Sequence, residues 1–442
     1  MRRLSLCVLL TLSLTTAVLA ENWPNWRGPT STGVSPEAGL PVKWSDTEGV
    51  AWKAPIRGLG ISSPIVWGDR VFVTSQVGTG IARSGPRLVQ GGDAAEAGER
   101  ALGGAATGVV ATRSAATSFL VTAFDRNNGR QGWEYEVAAE GALPEVHEKH
   151  NLATPSPVTD GQRVYALFGT GQLVALDMTG KLVWKRNLTE YGAFNVNWGH
   201  GGSPIVYKDM VILQLYHASP ASYLLALDSA TGATRWKADR AGATSYSTPF
   251  VMEFTGGVEL VVNSSEGISG HSLTNGERLW YITETNRFPI PVATQRDGII
   301  FTSRGYRSGP YMAIKPGGKG DVAASHVVWK VETGAPYISS IIEHNGLIYM
   351  MGDVGVANVV DAKTGQRVWQ ERLGGVYSAS PIAGDGKVYF FSENGETLVL
   401  SAGRAPDVLS RNKLNARILG TPAISGGRLF IRSDNTLFAI GK

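Results

Sequence analysis

The chain has 442 residues, including 55 glycines and 21 prolines, and apolar residues make up 43% of it. This apolar share excludes a disordered chain, and so many helix-breaking residues argue against a helical bundle. The formal net charge is only +4 and no basic patch stands out, so the sequence gives no reason to expect nucleic acid as a partner.

Residues 1–20 are predicted to be a signal peptide that is removed on export. Arg2 and Arg3 precede an apolar run that ends at Ala20, a small residue at the expected cleavage point. An uncleaved membrane anchor is the alternative, and no later segment reaches the apolar length of a membrane span. The only cysteine, Cys7, lies inside this run, so the mature chain is expected to lack disulfides and thiolate metal sites. The mature protein is expected in the periplasm or outside the cell.

Internal repeats predict the architecture of residues 50–442. One unit recurs: Ser or Thr followed by Pro, a pair of short strands, a Thr-Gly turn and then Trp, as from Ser203 to Trp236. The aligned starts of the units are Pro64, Pro157, Pro204, Pro249, Pro291, Ile341, Pro381 and Pro422. The closing positions are Trp133, Trp184, Trp236, Trp280, Trp329, Trp369 and Leu409. After the first pair, the spacing of about 40 to 50 residues is typical of propeller blades. We therefore predict an all-β fold, an eight-bladed β-propeller of four-stranded antiparallel blades, with seven blades as the alternative.

The two ends of the chain are predicted to share the last blade. The unit that starts at Pro422 ends at Lys442, too early for a fourth strand. Trp52 precedes Pro64 at the distance expected of a closing Trp, so the segment around it is predicted to supply the missing outer strand. This pairing would close the ring and remove its open edges. Residues 21–49 remain as a leader without an assigned role.

The repeat resembles a known family. Ala226-x-Asp228-x-x-Thr231-Gly232-x-x-x-Trp236 is similar to the tryptophan-docking motif of the PQQ-like (pyrrolo-quinoline quinone-like) propeller superfamily, which includes quinoprotein alcohol dehydrogenases and the assembly factor BamB. The leader at residues 22–29 also looks like the start of a group of exported PQQ-like propeller proteins. In the dehydrogenases the resemblance implies a quinone, a Ca²⁺ held by Glu and Asn, and a ring disulfide from adjacent cysteines. The mature chain has no cysteine and no lipid-attachment motif of the BamB type. The resemblance therefore implies the fold, and no cofactor is expected, with PQQ plus calcium as the less favoured alternative.

Long loops are predicted to gather on one face of the first three blades. In a four-stranded blade, the loop into the innermost strand and the loop between strands two and three lie at the same end. Three excursions fall there: an insertion at residues 77–117, the loop before Pro157 and the loop before Pro204. The candidate residues on these loops are His147, His150, Asn151, Asn197, Trp198 and His200. His217, which follows the second strand of blade three on the same face, is a further candidate. Imidazoles on neighbouring loops can ligate Zn²⁺ or Cu²⁺ or act in acid–base chemistry, and the metal-ligand candidates are His147, His150 and His200. Ordinary packing of loop on loop is the alternative.

The same face continues around the axis with aromatic and charged residues. Those that precede innermost strands or follow second strands include Tyr246, Phe288, Arg304, Tyr337, Asp353, Tyr377 and Glu393. Such a ring is a plausible binding mouth for a peptide, a sugar or a flat organic group. Aromatic plugging of the channel is the other interpretation. No nucleophile motif is present, so catalytic residues stay unassigned.

Two functions follow as hypotheses. The first is an exported, monomeric, non-catalytic propeller that binds a protein or glycan partner of the cell envelope on the funnel face. The second is a metal- or quinone-dependent periplasmic oxidoreductase that uses the histidine-bearing loops of blades two and three.

Overall fold

The computed structural model describes residues 21–78, 82–83, 117–194, 196, 198–217, 222–240, 242–306 and 308–442. The predicted signal peptide, most of the insertion at residues 77–117 and the candidate Asn197 therefore lie outside the described residues. Within the described ranges, no helix combines the length and apolar character needed to cross a bilayer.

The described residues form eight antiparallel sheets around a central axis, which confirms eight blades. Strands are given from the axis outward. Blades one and two consist of Ile65–Trp67, Arg70–Val77, Ser118–Asp125 and Gln131–Ala138, then Val158–Thr159, Arg163–Leu167, Gln172–Asp177 and Leu182–Asn187. Blades three and four consist of Ile205–Tyr207, Met210–Leu215, Tyr223–Asp228 and Thr234–Asp239, then Phe250–Phe254, Gly257–Asn263, Gly267–His271 and Arg278–Thr283.

The second half repeats this order and ends with the predicted closure. Blades five and six consist of Thr294–Arg296, Ile299–Ser303, Tyr311–Ile314 and Val327–Val331, then Ile342–His344, Leu347–Met351, Val356–Asp361 and Arg367–Arg372. Blades seven and eight consist of Ile382–Gly384, Lys387–Phe391, Glu396–Ser401 and Val408–Lys413, then Ala423–Ser425, Arg428–Arg432, Thr436–Ile440 and Val50–Pro55. The strand Val50–Pro55 pairs antiparallel with Thr436–Ile440, so the N-terminal strand closes the ring as predicted.

Few other elements are present. The strand Gly320–Asp321 pairs with the outer strand of blade four, and Ala82–Arg83 pairs with Val146–His147. A 3-10 helix spans Leu188–Tyr191 and a one-turn α-helix spans Ala323–His326. The apolar core lies between the faces of neighbouring blades, where the second and third strands are almost wholly buried.

The Ser/Thr-Pro start of the unit forms a belt of hydrogen bonds around the axis. Ser63 N donates to Ser156 Oγ, and Ser156 N donates to Ser203 Oγ, each at 2.9 Å. The same bond recurs between blades three and four, five and six, six and seven, and seven and eight. Each hydroxyl thus ties its blade to the preceding one, which explains why the repeat carries Ser or Thr at this position.

Blade five departs from the predicted alignment by two residues. The belt bond of this blade is donated by Val292 N to Ser340 Oγ at 3.0 Å, and the inner strand starts at Thr294. The structural equivalent of the other unit prolines is therefore Ala293, and Pro291 lies two residues before it. Without a hydroxyl at Val292, this blade supplies no acceptor to the belt.

The closing tryptophans dock onto the next blade, as the motif predicts. Trp184 Nε1 donates to the Ser229 carbonyl at 2.9 Å, and its ring covers Gly232 of the Thr-Gly turn. A Cβ at Gly232, where φ is +72°, would lie 2.8 Å from the indole ring, so this turn requires glycine. The same bond to a carbonyl of the next blade is made by Trp52, Trp133, Trp236, Trp329 and Trp369.

Trp280 of blade four is the exception. Its Nε1 donates to Glu259 Oε2 of its own blade at 2.7 Å, and Gly317 N also donates to that carboxylate oxygen. The short strand Gly320–Asp321 covers the outer edge of blade four beside this indole, which is fully buried. Blade four therefore replaces the usual docking by a covered edge and a buried carboxylate.

The leader fills the central channel. Trp23 is fully buried and exchanges two backbone hydrogen bonds of 2.8 Å with Val66 on the inner strand of blade one. On the other side of the channel, Arg27 Nη2 donates to the Ile341 carbonyl of blade six at 2.9 Å. Val34 then pairs with Ala383 on the inner strand of blade seven. The leader thus enters and leaves the channel by the end opposite the long loops.

Candidate functional site

A cavity of about 290 Å³ lies on the axis at the end where the long loops gather. Residues that precede the innermost strand of every blade line it, including the belt residues Ser63, Ser156, Ser203 and Thr248. Trp26 of the leader also lines it, because the leader occupies the channel below. The cavity is therefore a funnel that is closed at its base by the protein's own chain.

One wall of the funnel is aromatic. The rings of Tyr246 and Phe288 lie 6.3 Å apart, those of Phe288 and Tyr306 lie 5.1 Å apart, and those of Tyr306 and Tyr337 lie 5.3 Å apart. These contacts run in sequence from blade four to blade six. Tyr246, Phe288 and Tyr337 line the cavity, and Tyr306 packs between the last two of them. Edge-to-face contacts of this kind hold the rings in place, so the wall is preformed.

The opposite wall is built by the loops into blades two and three. His147 and Trp198 lie 5.6 Å apart in an edge-on contact, and His147 N donates to the Trp198 carbonyl at 3.1 Å. Trp198 has a φ of +74°, a conformation that is strained for a bulky side chain. Strain of this kind is retained at functional positions where the surroundings enforce it. His150 also lines this wall.

Three histidines stand beside and behind this wall: His200 and His217 are buried, and His150 is half-buried. The rings of His200 and His217 lie 5.4 Å apart, and both contact Phe194. Burial lowers the pKa of His150 to about 3, that of His200 to about 4 and that of His217 to about 3, with neighbouring imidazoles adding to the shift for His150 and His217. All three are therefore neutral at pH 7. Among the described residues, both ring nitrogens of His150 and of His200 and the Nε2 of His217 are buried without a hydrogen-bond partner.

No metal centre is assembled in the described part of the chain. It brings together no group of three His, Cys, Asp or Glu side chains that could hold a metal ion. The metal-ligand candidates His147, His150 and His200 are neighbours, but they do not form such a set. Their arrangement supports neutral hydrogen-bonding or packing roles.

One carboxylate near the funnel has an unusual environment. Asp353 is buried, and this burial raises its pKa to about 6, against the opposing effect of a 3.2 Å hydrogen bond from Ile338 N. Ile338 lines the cavity, so Asp353 lies directly behind the lining. At neutral pH the group is close to its titration point and would sense a charge placed in the funnel.

The structure brings some of the candidate residues together. Of the candidates, His147, His150, Trp198, Tyr246 and Tyr337 line the cavity. His200 and His217 pack behind it. Asn151 instead donates from Nδ2 to the Leu59 carbonyl at 3.0 Å and orders its own loop.

Two other candidates lie away from the lining. Arg304 is fully buried and donates to the carbonyls of Ser264 and Glu284 at 2.6 and 2.5 Å, which joins blade five to blade four. Tyr377 is almost completely buried, and its backbone N donates to the Asp353 carbonyl at 3.0 Å. Both positions serve the packing of blades.

Sequence reasoning missed two residues of the funnel. Trp26 lies in the leader, and only its threading through the channel brings it to the cavity. Lys149, on the loop into blade two, lines the cavity and pairs with Glu393 of blade seven at 2.9 Å. The Trp-Pro-Asn-Trp pattern of the leader was the only available signal for Trp26.

Comparison with known proteins defines the class. The profile of the family described as outer membrane protein assembly factor BamB matches residues 117–288 and 321–442, more than half of the chain. The chain therefore belongs to this family of PQQ-like propellers. No curated protein matches the sequence.

Solved structures share the fold at low sequence identity. BamB from Moraxella catarrhalis is 16% identical, with a TM-score of 0.50 over 79% of this chain and 85% of that chain. A europium-containing methanol dehydrogenase is 13% identical, with a TM-score of 0.60 over 93% of this chain and 89% of that one. The quinohemoprotein alcohol dehydrogenase ADHIIG from Pseudomonas putida HK5 is 12% identical, with a TM-score of 0.59 over 95% and 80%. At these identities the likeness establishes the propeller and leaves activity open.

Proposed function

We propose that this protein is an exported binding module of the cell envelope that holds a protein partner at its funnel face and catalyses no reaction. The observation that carries the proposal is the preformed aromatic cavity at the end where the long loops gather. Membership of a family described as an outer membrane protein assembly factor supports a protein as the partner. The apolar run before Ala20 supports export.

The lining indicates what the partner inserts. Aromatic residues from the leader and from blades three to six line the cavity, together with the Ser and Thr residues of the belt. Each belt hydroxyl that accepts an amide hydrogen keeps its own hydrogen to donate. An apolar or aromatic side chain flanked by peptide carbonyls matches this combination. A sugar ring would use the same surfaces, and the test below separates the two.

A calcium-bound quinone does not fit this lining. Ca²⁺ takes six to eight oxygen ligands, usually including carboxylates. Within the described residues the cavity lining contains no Asp or Glu, and the nearby Glu393 is already paired with Lys149. Asp353 lies behind Ile338 and accepts its amide hydrogen.

A metal-dependent enzyme is the second candidate, and the unpartnered ring nitrogens of His150 and His200 are the observation that favours it. Elemental analysis and absorbance of untagged protein from its native compartment test this candidate. One equivalent of bound metal that is lost in the His150→Ala variant would favour the metal-dependent enzyme over the binding module.

A photo-crosslinking pair tests the binding proposal. Val376, on the loop into blade seven at the funnel end, is 48% exposed, and Val328, on the outer strand of blade five, is 45% exposed. A photoreactive amino acid at position 376 is expected to capture one defined envelope protein in cells, whereas the same group at position 328 is not. The Trp198→Ala and Tyr337→Ala changes are expected to reduce that capture while the fold survives. Equal capture from both positions, or capture that neither change affects, would contradict the proposal. Competition by envelope oligosaccharides would favour a glycan instead.

A further inference from the structure

A hydrogen bond between Glu21 and Glu37 joins the two ends of the leader segment that fills the channel, which we call the plug. The plug is the part of the leader from Glu21 to Glu37, which rises into the channel beside Val66 and returns beside Ala383. At its open end Glu21 N donates to Glu37 Oε1 at 2.7 Å. This bond closes the plug on the side of the protein opposite the funnel.

The carboxylate of Glu37 is held in a fixed position. Gly426 N donates to Oε1 at 2.9 Å and Gly427 N donates to Oε2 at 2.7 Å, both from the turn between the first two strands of blade eight. Ser425 Oγ of the same turn donates to the Glu21 carbonyl at 2.7 Å. The backbone nitrogen of Glu21 is therefore aimed at an anion that the propeller itself orients.

Two carboxylates, those of Glu21 and Glu37, lie at this corner. The Glu21 carboxylate accepts Ser35 Oγ at 3.0 Å, and burial together with the Glu37 charge raises its pKa, against the effect of the Ser35 hydrogen bond. Among the described residues, no Lys, Arg or His forms an ion pair with either carboxylate. The basic groups nearby are Arg126, which donates to Ser425 Oγ at 3.3 Å, and Arg428, which donates to the carbonyl of Arg126.

We infer that hydrolysis of the Ala20–Glu21 peptide bond creates an α-ammonium group at Glu21 that pairs with Glu37 and locks the plug. The inference rests on the proposed export, because removal of residues 1–20 is the step that frees the amine. Water adds across the peptide bond, so Ala20 leaves with a carboxylate and Glu21 keeps the nitrogen as an ammonium. The nitrogen already lies at hydrogen-bond distance from Glu37 Oε1. The present bond is charged only at its acceptor, whereas an ammonium donor would make both partners ionised and add a direct charge–charge attraction.

Removal of residues 1–20 would then also change the rigidity of the funnel. Trp23 and Trp26 lie on the ascending half of the plug, within five residues of Glu21. Locking Glu21 to Glu37 anchors that half against blade eight and so steadies Trp26 at the base of the cavity. The mature chain is expected to hold its funnel more rigidly than an unprocessed one.

The first experiment identifies the N-terminus by intact mass of the protein isolated from its host. A mature chain that starts at Glu21 is expected. A start at another position, or a chain that keeps residues 1–20, would overturn the inference, whereas recovery of the protein from the cytoplasm would overturn the proposed export.

The second experiment uses purified protein and does not depend on export. Two forms are compared, one with a free Glu21 amine and one with Gly-Ser ahead of Glu21. In each form Glu37→Gln is set against Glu48→Gln, an exposed carboxylate of the same segment. In the free-amine form at pH 7, we expect Glu37→Gln to raise the rate of α-amine labelling about 10-fold. Loss of the Glu37 charge lowers the pKa of the Glu21 amine, and one pKa unit changes the deprotonated fraction by that factor. Glu48→Gln is expected to leave the rate unchanged.

The thermal midpoint gives an independent readout. Glu37→Gln is expected to lower the midpoint more in the free-amine form than in the extended form. Equal losses in both forms would show that Glu37 only caps the amides of Gly426 and Gly427. That result, or equal labelling rates in all variants, would overturn the inference.

Discussion

Lys149 Nζ lies 2.9 Å from Glu393 Oε1 and so joins the loop into blade two to blade seven, two blades that are not neighbours in the ring. Ser378 Oγ donates to the same carboxylate oxygen at 2.5 Å. Both Lys149 and Ser378 line the funnel. The pair is therefore a strap at the funnel mouth that holds the histidine-bearing loop in place.

Breaking this strap is expected to loosen the loop with little loss of global stability. In Lys149→Met, the amide hydrogens of residues 139–154 should exchange faster, because the loop loses its bond to blade seven. The free energy of unfolding should fall by about 1 kcal/mol or less, as is usual for partly exposed ion pairs. Hydrogen exchange read by mass spectrometry measures the first effect.

The matched control is Lys330→Met. Lys330 pairs with Glu284 at 2.5 Å with similar exposure, but on blade five. It should leave exchange in residues 139–154 unchanged. Faster exchange there in both variants would show that the loop does not depend on the strap.

At Trp198 the usual order of stability, alanine variant above glycine variant, is expected to be reversed. Because its φ is +74°, Trp198→Gly removes backbone strain that Trp198→Ala retains. We expect the glycine variant to be more stable than the alanine variant by about 1 kcal/mol, measured as the free energy of unfolding in denaturant. Both variants lose the ring and should lose partner capture equally.

Tyr337 provides the control, because its backbone φ is not positive. There the usual order should hold, with Tyr337→Gly less stable than Tyr337→Ala. The same order at both positions would contradict the strain argument.

The two kinds of tryptophan docking should respond differently to Phe. Trp184→Phe removes a hydrogen bond to a neutral acceptor, the Ser229 carbonyl. We expect a loss of about 1 kcal/mol in the free energy of unfolding. Trp280→Phe removes a donor from the buried Glu259 carboxylate, so a loss of about 2–3 kcal/mol is expected. Denaturant midpoints measure both, and equal losses would count against a special role for Glu259.

The buried histidines predict a loss of stability in mild acid. Their folded pKa values, about 3 for His150 and His217 and about 4 for His200, lie below the ordinary 6.5. In mild acid the unfolded chain therefore binds more protons than the folded chain does. The stability that these three neutral histidines contribute is fully present above about pH 6.5. It should fall progressively as the pH drops toward 4, by up to about 1.4 kcal/mol per histidine and pH unit. Thermal midpoints at pH 7 and pH 5 measure this.

Substitution isolates the contribution of the cluster. His271, buried in blade four with a pKa lowered to about 4, contributes with the same sign. The double variant His200→Gln/His217→Gln should reduce the difference between the thermal midpoints at the two pH values. An unchanged difference in the double variant would show that the cluster does not titrate on unfolding.

Local patterns were sufficient for most of the fold. Each Ser/Thr-Pro start, Thr-Gly turn and closing Trp acts within its own blade or on the next one, so a single repeat carries the information. The alignment went wrong at blade five, where Pro291 resembles the unit proline but Val292 makes the belt bond. It was also wrong by one residue at blade seven, where Ser410 and not Leu409 occupies the register position of the closing tryptophans. The site was predictable in part for the same reason: His147, Trp198 and Tyr337 lie on loops whose end of the blade follows from strand order.

Spacing and strand alternation predicted eight blades, with seven as the alternative, as well as the closure by Trp52 and the face on which a ligand is expected. The folded structure was needed to show that the leader fills the channel, that Trp26 reaches the funnel and that Arg304 is buried between blades. Those outcomes depend on contacts between residues far apart in the chain, such as Arg27 with Ile341 and Lys149 with Glu393. Neither local periodicity nor residue type encodes such contacts, since they arise when eight separate sheets close around one axis.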